Sequence, residues 1–305
     1  GETVKAKIAQ GLEGLHMLEA ADPARETIAI ALALRQSLET PGQTGALVTP
    51  VRNLARRVAA ELRRWDIEID DSAGRPLSHT AAGVFLCLLA EAAATGFAPV
   101  PLLALLKHPF ALAGQAAADF RQQARLLDRL VLRGVAPDPG LDGITRAVDL
   151  TARNSEGLGA WWRQMAALLR PLEECFAGGD VALSRMVETH IAVADRLSRD
   201  AAGVSLLSRD SDGDTAMDFL NDLIAAAADL PVIAPDSYPA LFRGLAAKRT
   251  IRATYNRHPR LAILGPLEAR LQSFDLVVLG GLNEGTWPAA ASKDAWFSRP
   301  MRKTL

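Results

Sequence analysis

With 305 residues, 49% apolar and 23% charged side chains, the chain has the composition of an ordinary globular protein, with material for one large core or two smaller ones. Its 34 basic and 35 acidic residues leave a formal charge of −1, which argues against wholesale electrostatic attraction to nucleic acid. There is no run of about twenty uninterrupted apolar residues, and the opening segment lacks the basic, apolar and small-residue order of a secretory signal, so no membrane association and a cytoplasmic location are expected.

Asp22 followed by Pro23, then Ile28, Ala31, Leu32 and Leu38 at helical spacing, predicts an amphipathic helix that ends near Pro41-Gly42. Residues 46–49, Ala-Leu-Val-Thr between Gly45 and Pro50, read as a short buried strand, and residues 54–62 as a helix. Ile67-Glu68-Ile69 alternates as a strand does, with a turn expected over 70–74. Strand, helix and strand in that order build a parallel sheet, so the beginning of the chain reads as α/β.

From about Thr80 to Lys248 the strand signal fades. Ala-rich and Leu-rich helical periods take over, with helices expected at 116–132, 158–176, 181–197 and 215–230 and a short buried one at 102–106. Strands return at 261–264 and 276–279. The expected organisation is an α/β domain over residues 1–94 and 255–305, incomplete at its C-terminal side, with a mainly helical insertion over 95–254.

The motifs that carry common chemistries are missing. Without Gly-x-x-x-x-Gly-Lys-Ser/Thr the chain has no backbone cradle and lysine for nucleotide phosphates, and neither Gly-x-Ser-x-Gly nor His-Glu-x-x-His occurs. Residues 210–214, Asp-Ser-Asp-Gly-Asp, offer three carboxylates, but the glycine is misplaced for a calcium loop and no glutamate closes it; a polar loop with Asp214 or Thr215 capping the next helix is the expectation. Cys87 and Cys175 are far apart in apolar settings, and the five histidines are scattered, so no catalytic residues and no metal ligands are nominated. Adjacent residues on a helix point about 100° apart, so Trp161 and Trp162 are read as core and packing residues rather than stacking platforms.

The charge is unevenly spread. Residues 237–267 contain no Asp or Glu but hold Arg243, Lys248, Arg249, Arg252, Arg257 and Arg260, interleaved with Tyr238, Phe242 and Tyr255. Cations between stackable rings suit the phosphates and bases of a single strand. Arg52 and Arg56 follow the first strand, where the loops of a parallel sheet meet ligands, and they join this set of candidate DNA contacts.

The segment 258–288 carries the strongest pattern: HPRLAILGPLEARL, then QSFDLVVLGGLNEGTWP. It resembles the AddB family of bacterial helicase-nuclease subunits, and more distantly RecC and motif V of the UvrD-like helicases; residues 46–86 fit the same family at the start of a second motor domain. The resemblance implies a P-loop-helicase-like second motor domain with a parallel sheet, interrupted by a large helical subdomain. Active relatives carry Thr-x-His-x-x-Lys-Gly-x-Glu-Phe before the last strand, and here those positions are Gly265, Leu267, Arg270, Leu271 and Ser273. Only the basic residue survives, as Arg270, which adds it to the DNA-binding candidates, while Ser273 replaces the carboxylate that meets the nucleotide ribose. The family thus implies a motor-like piece that has lost ATP coupling, contacts single-stranded DNA and docks on AddA. In the parent complex ATP and magnesium belong to AddA, and an iron-sulfur cluster to a C-terminal nuclease domain outside these residues, so no cofactor is expected here. Asn283 and Glu284 are expected to shape the turn before Trp287-Pro288. Two other readings stand beside this one: an active ATP-dependent motor fragment, and an unrelated α/β enzyme with a helical cap.

Overall fold

A computed structural model describes residues 11–72, 74–151, 157–209, 211–227, 230–251, 258–287 and 301. The chain is α/β and divides into two compact units, Gly1–Ala73 with Thr254–Leu305, and Gly74–Ala253. Among the described residues no helix is long and apolar enough to cross a membrane.

In the first unit, helix α1 (Pro23–Ser37) starts where expected: the Asp22 carboxylate accepts from the backbone N–H groups of Ala24 and Arg25 at 2.9 and 2.8 Å, and Pro23 occupies a first-turn position that needs no donor. Strand β1 (Gly45–Val48) leads into helix α2 (Arg52–Arg63). The next strand departs from expectation. Residues 67–69 alternate but pair with nothing as a strand, and β2 is instead Asp70–Asp71, within the expected turn. The ladder sets this register, because Asp70 and Asp71 lie opposite Ala262 and Ile263, while the Glu68 carbonyl accepts from His258 N–H at 2.6 Å.

Strands β3 (Leu261–Leu264) and β4 (Leu276–Leu279) complete a four-stranded parallel sheet in the order β2-β3-β1-β4. Helices α1 and α2 close one face, where Ile30, Leu34, Leu54, Val58 and Leu62 meet Leu47, Leu261 and Ile263 in one apolar core. On the opposite face Ala46, Val48 and Leu264 are buried, but Val277 and Leu279 of the edge strand are 49% and 50% exposed. Asp275 ties that edge strand to β1: its carboxylate accepts from Thr44 N–H and Thr44 Oγ1, both at 2.8 Å, and these bonds hold its carboxyl below the usual range.

The second unit is helical: α3 (Ala81–Ala94), α4 (Pro99–Leu106), α5 (Ala117–Leu127), α6 (Gly140–Thr151), α7 (Leu158–Phe176), α8 (Leu183–Ser198), α9 (Ser211–Ala227) and α10 (Tyr238–Lys248). Two short antiparallel ladders pin its ends and loops, Arg75–Pro76 with Thr250–Ile251 and Val181–Ala182 with Val232–Ile233. The compact helical unit begins at Gly74, ahead of the expected residue 95, because α3 buries Phe85, Leu86, Leu89 and Ala90 in the helical core. Helix α9 likewise begins earlier than expected, so Asp214 lies inside its first turn rather than capping it; Asp212 pairs with Arg75, and Asp210 lies outside the described residues.

Thr80 caps α3, its hydroxyl accepting from Gly83 N–H at 3.1 Å while donating to the Leu77 carbonyl at 2.8 Å. That cap brings the Leu77 carbonyl so close that a Cβ on Gly83 would lie 1.8 Å from its oxygen. Backbone rather than a flexible side chain must then move. Gly83→Ala is therefore expected to destabilise the chain by about 1–3 kcal/mol in urea unfolding, although alanine is the better helix former; an unchanged midpoint would show that the cap yields freely.

Candidate nucleic-acid interface

The C-terminal ends of β1, β2, β3 and β4 form one rim of the parallel sheet, the side on which open α/β sheets bind ligands. Most of this rim is held by its own carboxylates. Arg52, at the start of α2, donates through Nη2 to Asp71 Oδ1 at 2.6 Å, joining the helix to the end of β2. Glu268 folds back to accept from Gly265 N–H at 2.9 Å and from the Ser72 hydroxyl. Glu26 accepts from Gly281 N–H at 2.8 Å. Gly281 has φ +77, and a Cβ there would meet Val51 Cγ2 at 2.8 Å, so the strand-to-loop corner requires glycine twice over.

The candidate contacts separate when placed on the structure. Arg56 is exposed but turned along its own helix, donating to Asn53 Oδ1 at 2.6 Å. Arg260 is committed to the fold: its guanidinium donates to the carbonyls of Thr40, Gln43 and Leu38 at 2.9, 3.3 and 3.2 Å, closing the turn after α1. In the helical unit Arg243 pairs with Glu91 at 2.5 Å and Arg249 with Asp222 at 3.4 Å. Lys248 is exposed and has no partner among the described residues, while Arg252, Arg257 and Tyr255 lie outside them. The expected interleaving of cations with stackable rings does not hold at its other two rings. Tyr238 and Phe242 are each 1% exposed and sit in the helical core, because their four-residue spacing with Ala246 is the buried stripe of α10.

The turn after β3 is the open part of the rim. Residues 266–268 and 270–273 are exposed, Leu271 fully so, and Leu271 takes a left-handed backbone at φ +66. Arg270, next to it, has no ion-pair or hydrogen-bond partner among the described residues, and Ser273 is exposed at the end of the turn. Asn283 does shape the following turn: its carbonyl accepts from Thr286 and Trp287 N–H at 2.9 and 3.2 Å. Among the described residues no group of three or more His, Cys, Asp or Glu gathers as metal ligands. The arrangement offers an exposed turn beside a strand end in which Arg270, unpaired among the described residues, can meet a phosphate.

No family model matches the sequence, and no curated protein matches it.

Proposed function

We propose that the chain is the catalytically silent, helicase-like part of an AddB-type subunit that repairs DNA double-strand breaks by homologous recombination, with an AddA-type subunit as its partner. The observation that carries this reading is topological. The helical unit is inserted between β2 and β3 of a parallel sheet, and β3 runs directly into the open turn that bears Arg270. That order of strand, insertion, strand and basic turn is the order the resemblance in residues 46–86 and 258–288 implies. The sequence supplies neither a phosphate-binding lysine loop nor a ribose-binding carboxylate at Ser273, which supports binding without ATP turnover. In this reading Arg270 meets a phosphate of single-stranded DNA, and the bare leucines of the same turn belong to the docking side.

The test is a salt series with a labelled single-stranded oligonucleotide and the 305-residue chain. Binding is expected to weaken with salt, and Arg270→Ala is expected to lower the slope of log K against log salt by about 0.7, one single-strand phosphate contact. Nucleotide binding or ATP-driven unwinding by this chain would overturn the silent reading; an Arg270→Ala slope equal to wild type would remove the turn from the DNA path.

A further inference from the structure

The helical unit carries a second, more concentrated positive surface that the basic run near residue 250 does not include. Arg121, Arg125, Arg129 and Arg133 recur every four residues along α5 and its extension, a row about 18 Å long. The extension is a single π-turn, Asp128–Leu132. In an α-helix residues five apart point about 140° apart, whereas in an i→i+5 turn they stack, and this is what brings Arg133 over Asp128. Asp128 is buried and accepts from Arg133 Nε at 3.0 Å, Arg133 Nη2 at 3.2 Å and Lys107 Nζ at 2.6 Å. Both of its oxygens are thus occupied, and it fixes two cations on the rim of the groove. Arg121, Arg125 and Arg129 are exposed, and none has a hydrogen-bond or ion-pair partner among the described residues. Two adjoining hollows of about 490 and 590 Å³ lie along the row and share Arg125, Asp128 and Arg133. Among the described residues five cations line them against one carboxylate, that of Asp128.

We propose that this groove binds the phosphate backbone of duplex nucleic acid, without contact to the bases. Guanidinium forks match phosphate oxygens in pairs, and Arg121, Arg125 and Arg129 have their forks unpaired among the described residues. Among the described residues no aromatic side chain lines either hollow, so they offer no stacking platform of the kind single strands use. A duplex instead presents the denser target, about one charge per 1.7 Å of axis. A bilayer surface fits poorly, because the apolar face of α5 (Phe120, Ala124, Leu127) is already buried in the core and is not free to enter lipid. A protein partner would be met by an apolar centre, and the exposed lining here is four arginines and Lys107, with only Ala118 and Gln122 besides. The site lies wholly in the helical unit and goes beyond the single-strand reading of the α/β unit, on which it does not depend.

The test uses the 305-residue chain with a labelled duplex, across 50 to 200 mM salt, beside two triple variants. Arg121→Ala, Arg125→Ala and Arg129→Ala together are expected to flatten the log–log salt slope by about 2.7, so that the loss of affinity over that range shrinks about 40-fold relative to wild type. The same three positions changed to Lys are expected to keep most of the slope, since charge is retained while the fork is not. All three positions are exposed, so thermal unfolding of both variants should match wild type and a folding defect can be told apart from a binding one. Arg270→Ala should leave duplex binding untouched, which separates failure here from failure of the single-strand reading. Duplex binding that the alanine variant retains in full, or no duplex binding at 50 mM salt, overturns the proposal. So does selective capture of polyglutamate or of anionic phospholipid vesicles in place of duplex, which would assign the groove to an acidic polypeptide or to a lipid surface.

Discussion

Taking the protein from pH 7 to pH 4 is expected to cost about 3 kcal/mol of folding stability through one side chain, His190. The imidazole is completely buried and joins three helices. Its Nε2 lies 3.1 Å from the Leu86 carbonyl on α3, and its Nδ1 lies 2.9 Å from the Tyr238 hydroxyl on α10. A carbonyl can only accept, so Nε2 carries the proton, and the neutral ring then accepts at Nδ1 from Tyr238. Phe242 packs edge-on against the same ring at 4.9 Å. Burial is the main cause that pushes the histidine down to about 4, with the Leu86 bond opposing it. The sign follows directly. The unfolded chain takes up the proton near pH 6.5 and the folded one only near pH 4, so the stabilising difference is complete above pH 6.5 and is lost as the pH falls through that window. Urea unfolding at pH 7, 5.5 and 4 should therefore show a wild-type loss that His190→Gln, which does not titrate, lacks; parallel pH profiles for the two proteins would sink the idea. Asp128, held down to about 2 by Arg133 and Lys107, acts in a separate window below about pH 4. Its contribution is about 1–2 kcal/mol once the solvent around its two exposed partners is allowed for.

Trp162→Ala is expected to destabilise the chain by about 3–5 kcal/mol, the cost of emptying a fully buried indole site. The loss has a polar part as well as a volume. Trp162 Nε1 donates to Thr145 Oγ1 at 2.9 Å, and that hydroxyl donates in turn to the Leu141 carbonyl at 2.7 Å, joining α7 to α6. Its neighbour Trp161 is also buried and stacks edge-on with Phe120 at 5.4 Å, but its indole nitrogen has no partner among the described residues. Phenylalanine substitution separates the two. At 162 it strands the Thr145 hydroxyl's partner site and should lower the urea midpoint, while at 161 it removes an unsatisfied donor and should leave the midpoint nearly level. Equal losses at both positions would mean that volume alone decides.

Local signals in the sequence carried a good part of the fold. Helix α7 falls at residues 158–176 as its periodicity predicts, and the strands at 261–264 and 276–279 are where the short apolar runs place them. The start of α1 follows from Asp22 and Pro23, because a cap is a contact between residues two or three apart. The arginine row at 121, 125, 129 and 133 is visible in the sequence as a four-residue period, while its exposure on one groove is not.

Helical periods, caps, breakers and the α/β alternation of the chain's ends all arise within a turn or two of chain and follow from local sequence. Which charges are paired depends on residues far apart in the chain that folding brings together. Arg243 finds Glu91 across 152 positions and Arg260 finds the Thr40 carbonyl across 220, so arginines of a stretch with no acid of its own are engaged by groups elsewhere in the chain. The same holds for β2, whose register the β3 partner imposes on two aspartates, and for Tyr238 and Phe242, which a packed core takes away from solvent. Backbone preferences act between near neighbours, whereas burial and ion pairing act between residues that only folding brings within a few ångströms.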